Sequence, residues 1–243
     1  MRIAVISDIH ANLHALEAAL AVIDAEGVDA VWCLGDTVGY GPRPSECCDL
    51  VAERVELCLA GNHDLVVLGS LDISDFSGEA AAAAKWTRTV LTEQARAFLA
   101  RLEPRGARDG VELFHASARD PVWEYVLSEE VAWSTLRATS ARLVLVGHSH
   151  VALDVCDRED AGVAGGLAPA GTEVELAGKR WLLNPGSVGQ PRDGDPRAAW
   201  LLLDFEAGIA SFRRVDYAIP TTQKEIRDAG LPGSLASRLS RGE

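Results

Sequence analysis

The chain has 243 residues, 48% of them hydrophobic, enough apolar material for a sizeable core. No apolar run reaches the roughly 18 residues that a membrane-spanning helix needs, and residues 1–8 meet Asp8 too early for a signal peptide. A net charge of −13 argues against a nucleic-acid backbone as the main partner. It leaves room for a small phosphorylated substrate, because bound cations can reverse the local charge. Cys33, Cys47, Cys48, Cys58 and Cys156 form no Cys-x-x-Cys pair and are odd in number. They read as buried thiols in a reducing cytoplasm, which is the expected location.

Arg2 to Ile6 reads as a buried strand. Residues 12–26 carry Leu13, Leu16, Ala19, Leu20 and Ile23 at helical spacing, and Gly27 closes them as a C-cap would. Residues 28–34 give a second strand, so a right-handed parallel crossover is expected, with functional groups at the carboxyl ends of the strands. A Gly- and Pro-rich loop leads to a helix over 44–53 and a third strand over 55–60. Residues 64–102 are mostly helical, with Trp86, Val90, Ala97 and Phe98 as the expected buried positions; the alanine run at 80–84 simply favours helix. Strands follow at 111–115 and 143–146, separated by a helix over 128–138.

Beyond His150 the pattern changes. Segments 151–155, 171–176, 179–184, 198–205 and 208–215 alternate or run apolar between turn residues, which predicts an antiparallel meander. No low-complexity linker divides the chain. The expectation is one domain over 1–243: two packed sheets with helices outside and a peripheral helical segment at 221–243.

The chemistry lies at the ends of the strands. His10, His63, His115, His148 and His150 each stand there beside Asp, Asn or Gly, whereas His14 falls inside a helical pattern. One such histidine would usually be a hydrogen-bonded polar residue; five, with Asp8, Asp36 and Asn62 alongside, point to metal. Imidazole and carboxylate donors suit Mn, Fe, Ni, Zn or Co, and a donor set without cysteine argues against a structural zinc site. Asp8, His10, Asp36, Asn62, His115, His148 and His150 are too many ligands for one ion and enough for two sharing a carboxylate. Two ions about 3.5–4 Å apart can generate a hydroxide nucleophile and clamp a phosphoryl group. Asp8-x-His10 and His148-x-His150 place side chains two residues apart, on one face if the backbone is extended.

Asp8-x-His10, Gly35-Asp36-x-x-Gly39, Gly61-Asn62-His63-Asp64, His115 and Gly147-His148-Ser149-His150 resemble the five blocks of the calcineurin-like metallophosphoesterase superfamily. Within it the chain is similar to small bacterial and archaeal phosphodiesterases, through Ser7-Asp8-Ile9-His10-Ala11-Asn12-Leu13, Gly39-Tyr40-Gly41-Pro42, the stretch from His115 to Pro121, and Asn184-Pro185-Gly186-Ser187. The resemblance implies a four-layer αββα sandwich of two mixed sheets flanked by helices. It implies that Asp8, His10 and His150 hold one metal, that Asn62, His115 and His148 hold a second, and that Asp36 bridges them. His63 would be the general acid, with Asp64 orienting it. The residue-level reading agrees, since His63 is the strand-end histidine not needed for coordination and imidazole suits proton transfer near neutrality.

The implied activity is a dinuclear metal-dependent phosphoesterase, a phosphodiesterase first, in which a metal-bridging hydroxide attacks phosphorus. A phosphomonoesterase acting on phosphoprotein or nucleotides is the second reading. A non-catalytic scaffold like the retromer subunit of the same superfamily is the third; loss of the catalytic histidine or of ligands would mark it, and here all are present. Arg119 and Arg192 are candidates for pairing with phosphate oxygens, and Asn12 and Tyr40 for lining the pocket. Asn184 is expected to hold the turn before Gly186.

Overall fold

A computed structural model describes residues 1–158 and 162–243. Strand β1 (Arg2–Ile6) leads into helix α1 (Leu13–Glu26) and returns as β2 (Ala30–Cys33), parallel to β1 with Ile3 opposite Ala30 and Ile6 opposite Cys33. Asn12 starts α1 by accepting the N–H of Ala15 at 3.2 Å, and left-handed Gly27 ends it. Helix α2 (Pro44–Arg54) and the two-residue strand β3 (Leu57–Cys58) follow. Three helices come next, α3 (Asn62–Leu68), α4 (Gly78–Val90) and α5 (Glu93–Leu99). Strands β4 (Arg105–Arg108) and β5 (Val111–Phe114), helix α6 (Glu129–Arg137) and strand β6 (Leu143–Val146) complete the first part. The second part contains β7 (Ala152–Asp157), β8 (Val163–Leu167), β9 (Glu173–Glu175), β10 (Trp181–Pro185), β11 (Ala198–Asp204) and β12 (Ile209–Val215), then α7 (Ile219–Asp228) and α8 (Gly233–Arg238).

Among the described residues these strands form two six-stranded mixed sheets, ordered β3-β2-β1-β11-β12-β9 and β4-β5-β6-β10-β7-β8. Strand alternation sets the layers. Ile3 and Val5 of β1 point between the sheets, where they meet Leu113, Leu145 and Leu183 from the other sheet. Ala4 and Ile6 point outward onto Leu16, Leu20 and Ile23 of α1. On the far side Val144, Val146 and Leu182 pack against Ala132 and Leu136 of α6. Each such Val, Leu or Ile side chain, fully buried, contributes about 1.5–3 kcal/mol of apolar burial. The result is the four-layer αββα sandwich expected from the sequence.

Several local expectations are corrected. The strands after His150 are not a meander. β10 inserts between β6, to which it is parallel, and β7, to which it is antiparallel; β11 inserts between β1 and β12. Apolar alternation marks a strand without naming its neighbour. The hairpin β4–β5 was missed, although Asp109-Gly110 turns it with both residues left-handed (φ 52° and 79°), as a tight hairpin requires. In α4 the buried face is made of small residues, Ala80, Ala83, Ala84 and Thr87, and in α5 it is made of Ala95 and Leu99. Trp86 and Phe98 are only partly buried, and Val90 and Ala97 are exposed. Small residues win because neighbouring helices come close: Ala84 packs against Val66 and Val67, and Ala83 against Leu235 and Ala236. The C-terminal segment is more than peripheral. Leu231, Leu235 and Leu239 are buried, and Thr222 donates its hydroxyl to Asn12 at 3.1 Å.

Candidate metal centre

The carboxyl ends of strands from both sheets meet at one place. Asp8 and His10 follow β1, Asp36 follows β2, His115 follows β5, and His148 and His150 follow β6. Asn62 and His63 open α3 rather than sitting at a strand tip, with Gly61 as the preceding cap. Gly61 has to be glycine for a packing reason: a Cβ there would stand 1.9 Å from Asp36 Oδ1.

The backbone at five of the seven ligands is left-handed, not extended: φ is 54° at Asp8, 50° at His10, 54° at Asp36, 62° at His148 and 60° at His150. Each such non-glycine conformation costs about 1–3 kcal/mol and persists where its surroundings hold it. Here they do. The Asp8 carbonyl accepts from Ser187 Oγ (2.7 Å) and from the Gly189 N–H (3.0 Å), and Asp8 Oδ2 accepts from the His148 N–H at 3.1 Å. Asn184 donates to the Gly147 carbonyl and accepts from the Gly186 N–H, the holding role expected for it. The same turns correct the one-face expectation. Asp8 and His10 stay in one group of donors, while His148 and His150 divide between two.

Those groups are Asp8, His10, Asp36 and His150, and Asp36, His115 and His148, with donor atoms inside each within 4.8 Å of one another. Asp36 Oδ2 lies 3.5 Å from His10 Nε2 and 3.7 Å from His115 Nε2; Asp8 Oδ1 lies 3.5 Å from His150 Nε2. Asn62 Oδ1 is 3.1 Å from His115 Nε2. Backbone carbonyls set the imidazole tautomers. His10 Nδ1 donates to Val38 (3.2 Å), His115 Nδ1 to Leu34 (2.9 Å) and His150 Nδ1 to Gln190 (2.6 Å), so each Nε2 presents a lone pair inward. Two such lone pairs, on His10 and His150, face each other at 2.9 Å.

The donor set fits a divalent metal centre. Asp8 Oδ1 and Asp36 Oδ2 are buried without a hydrogen-bond partner, and acceptors face acceptors across the site. Charges are disfavoured there when no cation is bound. Burial pushes the Asp8 carboxyl up to about 7, and burial with the nearby Asp64 carboxylate pushes Asp36 well above the usual range. Burial likewise holds His10 and His150 well below normal and brings His148 down to about 2. A bound cation would relieve the carboxylates and the facing lone pairs together.

His63 belongs to neither group. Its ring packs against His10, Tyr40 and Phe76 at centroid distances of 4.8, 4.4 and 4.4 Å, and its Nδ1 has no hydrogen-bond partner. Asp64 does not reach that imidazole. Its carboxylate accepts from the backbone N–H groups of Gly61 (2.9 Å), Val38 (3.0 Å) and Thr37 (3.3 Å). Asp64, expected to orient His63, makes no hydrogen bond to it here: it ties the Asp36 loop to the Gly61 turn, and the rings of His10, Tyr40 and Phe76 pack around His63.

The four pocket candidates separate. Asn12 uses its amide on the cap of α1, on the Gly189 carbonyl at 2.8 Å and on Thr222, so it holds loops together. Arg119 is half-exposed and paired with Glu124. Tyr40 packs at a tilt against His10 and His63, and Arg192 lies over the Tyr40 ring with its guanidinium 5.8 Å from the centroid. Tyr40 and Arg192 therefore line the site. Sequence reasoning missed Gln190, whose carbonyl sets His150 and whose side chain accepts from Arg192 at 2.9 Å. It also missed Phe76, Trp123 and Tyr125, which no local motif marks.

A two-sheet sandwich that gathers buried Asp, Asn and His side chains at strand ends and at the start of α3 suits a metal-dependent enzyme. The sequence matches the calcineurin-like phosphoesterase superfamily domain over residues 1–208, and the chain belongs to that superfamily. It is 36% identical to the uncharacterized protein MJ0912 of Methanocaldococcus jannaschii, covering 99% of this chain and 98% of that one. It is similar to the crystal structure of a metallophosphoesterase from Sphaerobacter thermophilus, with 41% identity, a TM-score of 0.91 and coverage of 100% and 99%. The hypothetical protein PH1004 of Pyrococcus horikoshii shares the fold at 21% identity, with a TM-score of 0.80 and coverage of 100% and 98%. No described helix is long and apolar enough to cross a membrane.

Proposed function

We propose that the chain is a single-domain cytoplasmic phosphodiesterase that works with two divalent ions on a small phosphorylated substrate. The observation that carries this reading is the unpartnered oxygen Asp36 Oδ2 facing donors of both groups, with His63 beside them and in neither. Asp8, His10, His150 and Asp36 would hold one ion, and Asn62, His115, His148 and Asp36 the other. When bound, such ions supply a nucleophilic water at neutral pH and neutralise phosphoryl charge. In the hydrolysis the water gives up a proton to solvent as a P–O bond forms to its oxygen, the P–O bond to the leaving alkoxide breaks, and His63 gives that oxygen its proton and is reprotonated from solvent. Burial and the Arg192 charge hold the His63 imidazole neutral in the ligand-free site; an anionic phosphoryl group beside it favours the protonated form that a general acid needs. The buried thiols support the cytoplasmic placement.

Metal dependence tests the reading first. After chelation, hydrolysis of bis-nitrophenyl phosphate is expected to fall to background and to return with Mn, Ni or Co. Full turnover by protein that elemental analysis finds metal-free would end it.

The preference for diesters rests on cation supply. Arg43 is held by Glu225 and Glu46, and Arg119 by Glu124, which leaves Arg192 as the guanidinium whose charge bears on Asp8, Asp36 and the site histidines. One arginine and two metals match a monoanionic diester better than a dianionic monoester. We expect kcat/KM for bis-nitrophenyl phosphate to exceed that for nitrophenyl phosphate under one metal and pH. A monoester preference of roughly tenfold would move the assignment to a phosphatase.

A further inference from the structure

The rim of the site is aromatic to a degree that neither metal binding nor phosphoryl transfer requires. Tyr125 lies flat on the His148 imidazole, with centroids 4.0 Å apart and 20° between planes, yet remains 46% exposed. One ring face is covered and the residue stays open to solvent directly above a metal-ligand candidate. Trp123, two residues earlier, meets Phe76 edge-on at 5.9 Å, and Phe76 packs on His63. Tyr40 closes the opposite side beneath Arg192. Two of the three tyrosines in the chain thus stand at this opening.

We propose that Tyr125 is a stacking platform for a planar aromatic arm of the substrate, so that the substrate is a small nucleotide ester with its base on Tyr125 and its phosphoryl group at Asp36. This rests on the phosphoesterase reading above and deepens it. A cover for His148 alone would need only an apolar side chain; an open ring is what a nucleobase binds, because every base offers a π-face to an aromatic one. Charge limits the length. A polynucleotide would need a track of cations, whereas this chain carries −13 and brings Arg192 to the mouth. A mononucleotide, or a diester of one or two nucleosides, satisfies both constraints.

The experiment pairs a cleavage measurement with a binding measurement on the Mn-loaded full chain. Cleavage compares adenylyl-uridine with glycerophosphoethanolamine, two diesters with alkoxide leaving groups. Binding compares AMP with glycerol phosphate by calorimetry. Wild type is expected to favour the nucleotide about tenfold or more in both measurements. Tyr125→Leu is expected to collapse both preferences, and Tyr125→Phe, which keeps the ring, to retain them. Metal content of each variant shows whether His148 is still in place. Equal loss on nucleotide and aliphatic ligands in Tyr125→Leu would make the ring a support for His148 and overturn the platform, as would equal wild-type affinity for AMP and glycerol phosphate. If neither diester is cleaved while the AMP preference holds and depends on the ring, the platform stands and the phosphodiesterase reading falls.

Discussion

Asp36→Asn is expected to weaken metal binding at both groups of donors together, while the metal-free protein melts no lower than metal-free wild type. The geometry makes the change specific. Asp36 Oδ1 accepts the His63 N–H at 2.9 Å, so the Asn carbonyl oxygen takes that position. The amide NH2 then replaces Oδ2, the oxygen that faces His10 and His115. An NH2 group donates and offers a cation no lone pair. The lost charge matters as well: at about 4 Å and an effective dielectric of about 20, two unit charges interact by about 4 kcal/mol. A loss in affinity on the order of 10²–10³-fold for each ion follows, with activity falling in step. The amide does not carry the penalty of burying a carboxylate, which is why the metal-free fold should not suffer. Elemental analysis after dialysis reads the first effect and calorimetric melting of chelated protein the second. Two ions still held tightly by the variant would remove Asp36 from the bridging position.

His63→Ala is expected to leave both ions bound and to lower kcat by about 10²–10⁴-fold on a substrate with an alkoxide leaving group. His63 lies outside both donor groups, so its removal takes no ligand away. Its proton matters most where the departing oxygen is most basic. The loss should therefore be much smaller with a nitrophenolate leaving group, which departs without full protonation. The ring fills space between Tyr40 and Phe76, so some thermal stability will be lost as well; the leaving-group comparison within one variant is insensitive to that. Equal losses on both leaving groups, or a missing ion, would contradict the general-acid role.

Asp64→Asn should behave unlike either. Its carboxylate braces three backbone N–H groups at Thr37, Val38 and Gly61 rather than the imidazole. The sequence could not reveal this, because Gly-Asn-His-Asp places Asp64 beside His63 in the chain while two of the three hydrogen bonds run to a loop 26 to 27 residues away.

What the sequence determined by itself was the inventory and its placement along the chain. Buried strands read from β-branched runs, and α1 read from its 3.6-residue spacing with its closing Gly27, because these are local properties of the chain. Donors at strand ends read as a metal centre because so many Asp, His and Asn side chains at equivalent positions have few other uses. Tertiary structure decided what depends on distance between remote segments. It chose the partners of β10 and β11, since alternation makes a strand without selecting a neighbour. It separated His148 from His150 by left-handed turns held from Asn184 and the Asp8 carboxylate, where spacing alone had put them on one face. It occupied Arg43 and Arg119 with Glu225 and Glu124 and left Arg192 at the site. It gathered Tyr40, Phe76, Trp123 and Tyr125 around His63 and His148, because packing is a contact in space, and residues far apart in the chain leave no local pattern that foretells it.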